Sequence, residues 1–230
     1  MKLSVFHETH YRYSDPVALS QQLLHLTPRV LPWQACASHK LVVAPTATEF
    51  EERDDYYGNR TAHMLLSTPH DALTVRAESE VSVEPRAQTA LALPKTPWET
   101  VRARLAVGER PAVEPAEFLF ESPHVERSRE LADYAVKSFT ARRPILESAV
   151  DLSRRIHRDF KFDRTATSVS TPLKDVLRDK RGVCQDFAHL MIGCLRMLGL
   201  AARYVSGYIL TSPPPGRARR IGAGGAPGGG

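Results

Sequence analysis

Apolar and polar residues alternate with a period of two in several stretches of the first 88 residues. The longest stretch runs from Leu73 to Val83, and shorter ones lie at 3–7, 11–13 and 40–44. This period is typical of a strand with one face in solvent, because successive side chains point to opposite faces of a sheet. We therefore predict that residues 1–88 form a β-rich, sandwich-like N-terminal domain.

The apolar spacing changes to three and four residues in the second half of the chain, as expected for helices with one buried face. Helices are predicted at 128–139 and 145–160, and a short third helix follows Pro172. A further helix begins at about Cys184. Its apolar positions are Phe187, Leu190, Met191, Cys194, Leu195 and Leu198.

The end of that helix and the rest of the chain complete the predicted domain plan. Gly199 is predicted to end the helix, and 202–210 has the pattern of a strand. Together these elements predict a partial core over 119–212, in which the cysteine-bearing helix packs on an antiparallel sheet. The predicted fold class is therefore α+β.

Two stretches are predicted to lie outside both domains. Residues 89–118 carry prolines at 94, 97, 111 and 115 and are predicted to form a linker with room for one short helical turn. Residues 213–230 are rich in proline, glycine and arginine, a composition that favours disorder.

Composition narrows the class of protein. Of the 230 residues, 42% are apolar and 25% are charged, which is ordinary for a soluble globular protein. No apolar run approaches the roughly 20 residues that span a bilayer, so no membrane contact is expected. The N-terminus, MKLSVFHE, reaches polar residues too early for a signal peptide, and a cytoplasmic location is expected.

Charge argues against nucleic acid as a partner. The net charge of +5 includes three arginines at 217, 219 and 220, and no basic stripe with interleaved aromatic residues is present. A basic-tailed nucleic-acid binder is therefore only a minor alternative.

The three cysteines do not form a disulfide framework or a zinc motif. Cys184 and Cys194 lie ten residues apart on the predicted helix, which separates their Cα atoms by about 15 Å, beyond disulfide reach. No CxxC pair or Cys/His cluster with zinc spacing occurs, so neither a metal nor another cofactor is predicted. Cys36 and Cys194 are assigned structural roles.

Cys184 is the one cysteine with a predicted chemical role. It follows the glycine turn at Gly182 and falls in the first turn of its helix, where free backbone N–H groups and the helix dipole favour an anion. The thiolate is the nucleophilic form of cysteine. Cys184 is therefore predicted to be a nucleophile, although a buried inert cysteine is the alternative.

Five segments resemble the bacterial transglutaminase-like family, which belongs to the larger papain-like thiol group. The resemblance covers nearly all of residues 1–216. The segments are His7 to Tyr13 (HETHYRY), Leu26 to Arg29 (LTPR), Asp55 to Asn59 (DYYGN), Arg181 to His189 (RGVCQDFAH) and Leu198 to Tyr208 (LGLAARYVSGY). The first three resemble the N-terminal region of that family, and the last two resemble its catalytic core.

The resemblance implies a cysteine–histidine–aspartate triad that performs acyl transfer on a protein or peptide substrate, at a glutamine or other amide group. Cys184 matches the nucleophile. In the family, the histidine follows on the strand after a segment like Val205 to Tyr208, and the aspartate comes later. Residues 1–230 contain no histidine after His189 and no aspartate after Asp186.

Nearby residues are not predicted to replace those partners. His189 lies five positions after Cys184, which turns it some 140° away around the helix, and His157 belongs to another helix. Asp186 is interpreted as a carboxylate that caps the helix or meets its dipole. We therefore expect an inactive or impaired thiol acyltransferase or hydrolase with a truncated core.

Other interpretations remain open from sequence alone. The chain could be a non-catalytic binding or scaffold module that keeps the fold. Its C-terminal residues fit either out-of-frame translation of a GC-rich gene or an authentic end. The substrate and the oligomeric state are not predicted.

Overall fold

A computed structural model describes residues 1–86, 93–107, 113–166, 171–210 and 221–223. Their Cα positions group into two compact units. The first comprises the described residues within Met1–Ala92 and Gly207–Ala223, and the second those within Leu93–Ser206.

The first unit contains two three-stranded antiparallel sheets. One has the strand order β1-β6-β3 and the other β2-β5-β4. The strands are β1 (Lys2–Val17), β2 (Ser20–Leu24), β3 (Gln34–Ala44), β4 (Glu49–Asp54), β5 (Arg60–Leu66) and β6 (His70–Val83). The predicted β-rich N-terminal architecture is confirmed.

The core of this unit comes from both sheets, as in a sandwich. Met64 and Leu66 of β5 and Leu73 and Val75 of β6 form one buried cluster. Along β6 the residues alternate between buried and exposed positions, which is the period-two pattern seen in the sequence. Burial of this alternating face therefore sets which side of each strand points inward.

A short antiparallel pair completes the first unit. Strand β9 (Tyr208–Leu210) pairs with β10 (Ile221–Ala223), and the Tyr208 hydroxyl lies 3.0 Å from Nδ1 of His7. The strand predicted at 202–210 is thus regular only over its last three residues. Within the predicted tail, the described residues 221–223 form a strand, and 213–220 and 224–230 lie outside the described residues.

The second unit is mainly helical and has a single large core cluster. Its helices are α1 (Trp98–Val107), α2 (Val113–Ala116), α3 (Arg129–Ala135), α4 (Ile145–Asp159), α5 (Leu173–Asp179) and α6 (Cys184–Met197). Strands β7 (Lys161–Phe162) and β8 (Arg181–Gly182) form a short parallel pair. The α+β fold class is confirmed. The described strand pair next to α6 is parallel, whereas an antiparallel sheet was predicted there.

A ten-residue helix lies inside the interval predicted as a linker, 89–118. Trp98 begins this helix, its ring packs edge-on against Phe139, and its indole N–H donates to the Thr140 carbonyl at 3.0 Å. These contacts join α1 to the core of the second unit, so residues 98–107 are part of the folded unit. Residues 89–92 and 108–112 of the interval lie outside the described residues.

Helix α6 is anchored in this core from its first turn to its end. Leu190 and Cys194 have no exposed surface. Gly199 has a φ of +74°, a left-handed conformation that glycine adopts at little cost, and its N–H donates to the Arg196 carbonyl at 3.0 Å. The predicted glycine end of the helix is confirmed.

Candidate active site

Cys184 is the first residue of α6, and its side chain is exposed. The first helical hydrogen bond, from the Phe187 N–H to the Val183 carbonyl at 3.2 Å, closes the turn that carries it. The sulfur therefore belongs to a turn whose earliest N–H groups lack helical partners, as the sequence predicted.

Asp186 caps this turn. Its Oδ2 accepts a hydrogen bond of 2.7 Å from the Val183 N–H, and its side chain is buried, with 8% exposure. Val183 offers no side-chain acceptor, so Asp186 supplies the carboxylate half of a capping box on its own. The interpretation of Asp186 as a capping carboxylate is confirmed.

Gly182 makes room for that carboxylate. A Cβ atom placed on Gly182 would lie 2.6 Å from Oδ2 of Asp186 and 3.0 Å from its Cβ. Both distances are too short for unstrained contact, so a side chain here would displace the cap. The glycine and the aspartate of the RGVCQD segment therefore act together to set the start of α6.

The approach to the cysteine is fixed by backbone pairing with β7. The Lys161 N–H donates to the Lys180 carbonyl at 2.8 Å, and the Asp163 N–H donates to the Gly182 carbonyl at 2.9 Å. These bonds hold the chain just before Val183 against a neighbouring strand. The turn bearing Cys184 is consequently tied to the unit on both sides.

His189 packs within a group of three rings. It stacks on His124, with ring centroids 5.3 Å apart and planes only 4° from parallel, and it contacts Tyr204 at 5.3 Å. Burial lowers the pKa of His189, His124 lowers it further, and Asp186 acts in the opposite direction. His189 is therefore a packing residue of the described structure.

None of the candidate partners bonds to the nucleophile. His157 is exposed on α4, and the His189 ring is engaged with His124 and Tyr204. Within the described part of the chain, the Cys184 thiol has no hydrogen bond to a histidine or a carboxylate. Gly182, Cys184 and Asp186 thus lie together at the start of α6, whereas His157 is an exposed residue of α4.

The other two cysteines differ from Cys184 in their surroundings. Burial raises the pKa of Cys194 to about 12, and this residue has no exposed surface. Cys36 lies on β3, where its Sγ is 3.2 Å from the Ser38 carbonyl, and partial burial raises its pKa. Cys194 is therefore a core residue, as predicted.

Sequence reasoning missed Arg196, which holds two segments near the three rings. Its guanidinium donates to the Ala202 carbonyl at 2.8 and 3.0 Å, to the Phe120 carbonyl at 2.7 Å and to the Ser122 hydroxyl at 3.1 Å. A basic residue in the last turn of a helix is common, so nothing in the local sequence distinguished this one.

Two family models match the chain. The bacterial transglutaminase-like N-terminal region matches residues 3–82, and the transglutaminase-like superfamily matches residues 126–223, which includes Cys184. An uncharacterized protein of Mycobacterium tuberculosis is 39% identical over 220 residues, covering 95% of this chain and 69% of the relative. The chain belongs to the bacterial transglutaminase-like family.

Two further matches have lower sequence identity. An uncharacterized protein of Mycobacterium leprae is 29% identical over 210 residues, which is 90% of this transglutaminase-like chain and 71% of the relative. A crystal structure described as a candidate cysteine protease from Cytophaga hutchinsonii superposes with a TM-score of 0.69 at 22% identity. It covers 90% of this chain and 67% of the other, and shows that the two share a fold.

The described residues show neither a metal site nor a membrane-spanning helix. They contain no group of three or more His, Cys, Asp and Glu side chains that could hold a metal ion. None of their helices combines the length and the apolar character needed to cross a membrane.

Proposed function

We propose that Cys184 is the nucleophile of a transglutaminase-like acyl transfer at a glutamine side chain or another amide of a protein or peptide. The observation that carries this proposal is the exposed thiol on the first residue of a 14-residue helix, in a segment that matches the superfamily. Family membership makes a papain-like cysteine enzyme the expected class.

The proposed reaction has two steps. The Cys184 sulfur attacks the amide carbonyl carbon, a carbon–sulfur bond forms, and the carbon–nitrogen bond breaks as a proton passes to the leaving nitrogen. With a glutamine side chain, the products are a thioester and ammonia. Water then releases glutamate, or an amine forms a new amide, and the thiol is regenerated.

The turn at Cys184 suits the first step in two ways. The free N–H groups at the start of α6 favour a thiolate, and they favour the oxyanion that forms as the carbonyl is attacked. The Asp186 cap holds the Val183 N–H at 2.7 Å and so fixes where the turn begins. The described residues place no proton donor or acceptor side chain in hydrogen-bond contact with the Cys184 thiol for the proton transfer of this step.

We therefore propose that residues 1–230, assayed alone, form the thioester slowly and show little or no turnover, because triad members act as a unit. We also propose that the substrate is a protein or peptide, that nucleic acid and membranes are not partners, and that the chain works in the cytoplasm.

Alkylation by iodoacetamide tests the nucleophile. In the native protein near pH 7, Cys184 should react much faster than Cys36, and Cys194 should react only after unfolding. Peptide mass spectrometry with stable-isotope iodoacetamide gives all three rates in one sample. Rates for Cys184 that do not exceed those of Cys36 would remove the activated thiol from the proposal.

A second assay separates an enzyme from a binding module. A glutamine-containing protein is incubated with a fluorescent primary amine, and amine incorporation and ammonia release are measured for the wild type and for C184A. Any incorporation that depends on Cys184 supports acyl transfer. Tight binding of that protein by both forms, without incorporation, would favour a non-catalytic module.

A further inference from the structure

Lys180 occupies an unusual backbone position four residues before the proposed nucleophile. Its φ of 55° and ψ of 33° are left-handed, and it ends helix α5 by donating its N–H to the Val176 carbonyl at 3.0 Å. Glycine or asparagine is the ordinary residue for this conformation, because a larger side chain is strained there. A lysine at this position carries backbone strain that a favourable contact of its side chain would offset.

The Lys180 side chain has such a contact in two aromatic rings. Its Nζ lies 4.4 Å from the ring centroid of Phe160 and 4.9 Å from that of Tyr134. The two rings meet edge to face, with centroids 5.9 Å apart. An ammonium over ring faces is attracted by their quadrupoles, and the attraction grows as water is removed. Partial burial, which lowers the pKa of Lys180, shows that this ammonium is partly desolvated.

The rings themselves are held by the core. Phe160 is buried, with 7% exposure, and the Tyr134 hydroxyl donates to Oδ2 of Asp159 at 3.0 Å. The guanidinium of Arg155 lies 4.3 Å from the Tyr134 centroid, and the Arg155 Nη1 donates to the Tyr134 carbonyl at 2.9 Å. The Lys180 ammonium is thus docked on a fixed platform.

The platform also touches the cysteine helix. The Phe160 ring packs against Phe187, in the first turn of α6, with centroids 5.8 Å apart. The carbonyl of Lys180 accepts the hydrogen bond from Lys161 that begins the β7–β8 pairing. Lys180 therefore joins the end of α5, the strand leading to Cys184 and the ring beneath Phe187.

We propose that Lys180 is a positioning residue that anchors the Arg181–Cys184 turn through its ammonium over Phe160 and Tyr134. This proposal rests on the proposed role of Cys184 as the nucleophile. The ammonium does not touch a substrate in this proposal. It fixes the orientation of the backbone that continues into Gly182, Val183 and Cys184.

Three variants separate anchoring from general stability. K180G removes the anchor and also the backbone strain, so its thermal stability should stay close to that of the wild type. K180M keeps the strain and loses the charge, and K180R keeps a cation over the rings. R102M is the control, because Arg102 lies 5.0 Å from the Trp98 ring in the same unit and is remote from the cysteine turn in sequence.

The first readout is amide hydrogen exchange in the full 230-residue chain, measured by NMR. In K180G and K180M, the amides of Val183 and Asp163 should lose protection by about threefold to thirtyfold, the range that corresponds to one lost cation–π contact. K180R should restore protection, and R102M should leave these two amides unchanged. Equal protection in the wild type, K180G and K180M would overturn the proposal.

The second readout is the rate at which iodoacetamide alkylates Cys184 as a function of pH. Loss of the anchor should lower the rate near neutral pH and move the profile toward that of the unfolded chain. An unchanged or faster rate in K180G overturns the positioning role. A wild-type Cys184 that is no more reactive than Cys36 overturns the proposed function instead, and the exchange measurement then decides the anchoring separately.

Discussion

Replacing Gly182 with alanine should loosen the turn that presents Cys184. The added Cβ would lie 2.6 Å from Oδ2 of Asp186, so the carboxylate must move away from the Val183 N–H that it now holds at 2.7 Å. The Asp186 side chain is buried with 8% exposure, and the dense packing of a protein interior resists its movement. The cap is the interaction that the substitution removes.

The magnitude follows from three terms. A hydrogen bond to a charged group contributes about 1.5–3 kcal/mol, and a carboxylate in the first turn of a helix gains about 0.3–1 kcal/mol from the dipole. Alanine restricts the unfolded chain more than glycine does, and this raises the free energy of unfolding by about 0.4–1 kcal/mol. G182A should therefore lower the free energy of unfolding by about 1–3.5 kcal/mol.

Urea unfolding of the wild type, G182A and G207A measures this cost. A Cβ on Gly207 would meet no atom within 4 Å, so G207A should change the free energy of unfolding by no more than about 0.5 kcal/mol. The same variants should also differ in the alkylation rate of Cys184, which is expected to fall in G182A alone.

A double-mutant cycle identifies Asp186 as the cause. In a D186A background the 2.6 Å contact is gone, although the 3.0 Å contact with Cβ remains. G182A should then cost at least about 1 kcal/mol less than in the wild type, since neighbouring residues couple by about 0.5–3 kcal/mol. The reasoning is refuted if G182A is as stable as G207A, or if its cost is the same in both backgrounds.

Three further changes test other parts of the structure. R196M should lower the free energy of unfolding by about 2–3 kcal/mol, because Arg196 donates to two carbonyls in separate segments. Proteolysis after Arg203 should become faster in this variant. An unchanged urea midpoint would contradict the stabilising role of Arg196. C194S should lower the free energy of unfolding by about 1–3 kcal/mol in the same assay, because its hydroxyl would be buried at a site with no exposed surface. C194A buries no hydroxyl and should lower it by less. Burial lowers the pKa of His39, so the unfolded state binds more protons than the folded state as the pH falls below the ordinary histidine value. The free energy of unfolding should therefore decrease from pH 7.5 to 5.5. H39Q should flatten that decrease relative to H157Q, and equal slopes for the two variants would contradict the argument.

The patterns that predicted the fold are local ones. The sequence shows the burial of every second residue of β6 and of every third or fourth residue of α6. This is because the period of a strand or a helix decides which face each side chain joins. The Asp186 cap is local as well, since its carboxylate reaches the N–H only three residues earlier. Such features need no knowledge of the rest of the chain.

Helix α1 could not be predicted in the same way. Its interval carries prolines, which favour a linker, and its helix is stabilised by contacts of Trp98 with Phe139 and Thr140, far along the sequence. The order of helices around α6, and the stacking of His189 on His124, depend on the same kind of distant contact. One sequence does not say which distant residues meet.

Lys180 shows why the immediate surroundings of a nucleophile are the hardest part to predict. Its sequence neighbours indicate only a polar residue at a helix end, where lysine is common and favourable. Its left-handed backbone would have predicted glycine, and the contact that compensates for the strain comes from Tyr134 and Phe160, on two other segments. Local patterns therefore identify Cys184 as the reactive residue. The orientation of the turn that carries it depends instead on where the helical core places the rings of Tyr134 and Phe160.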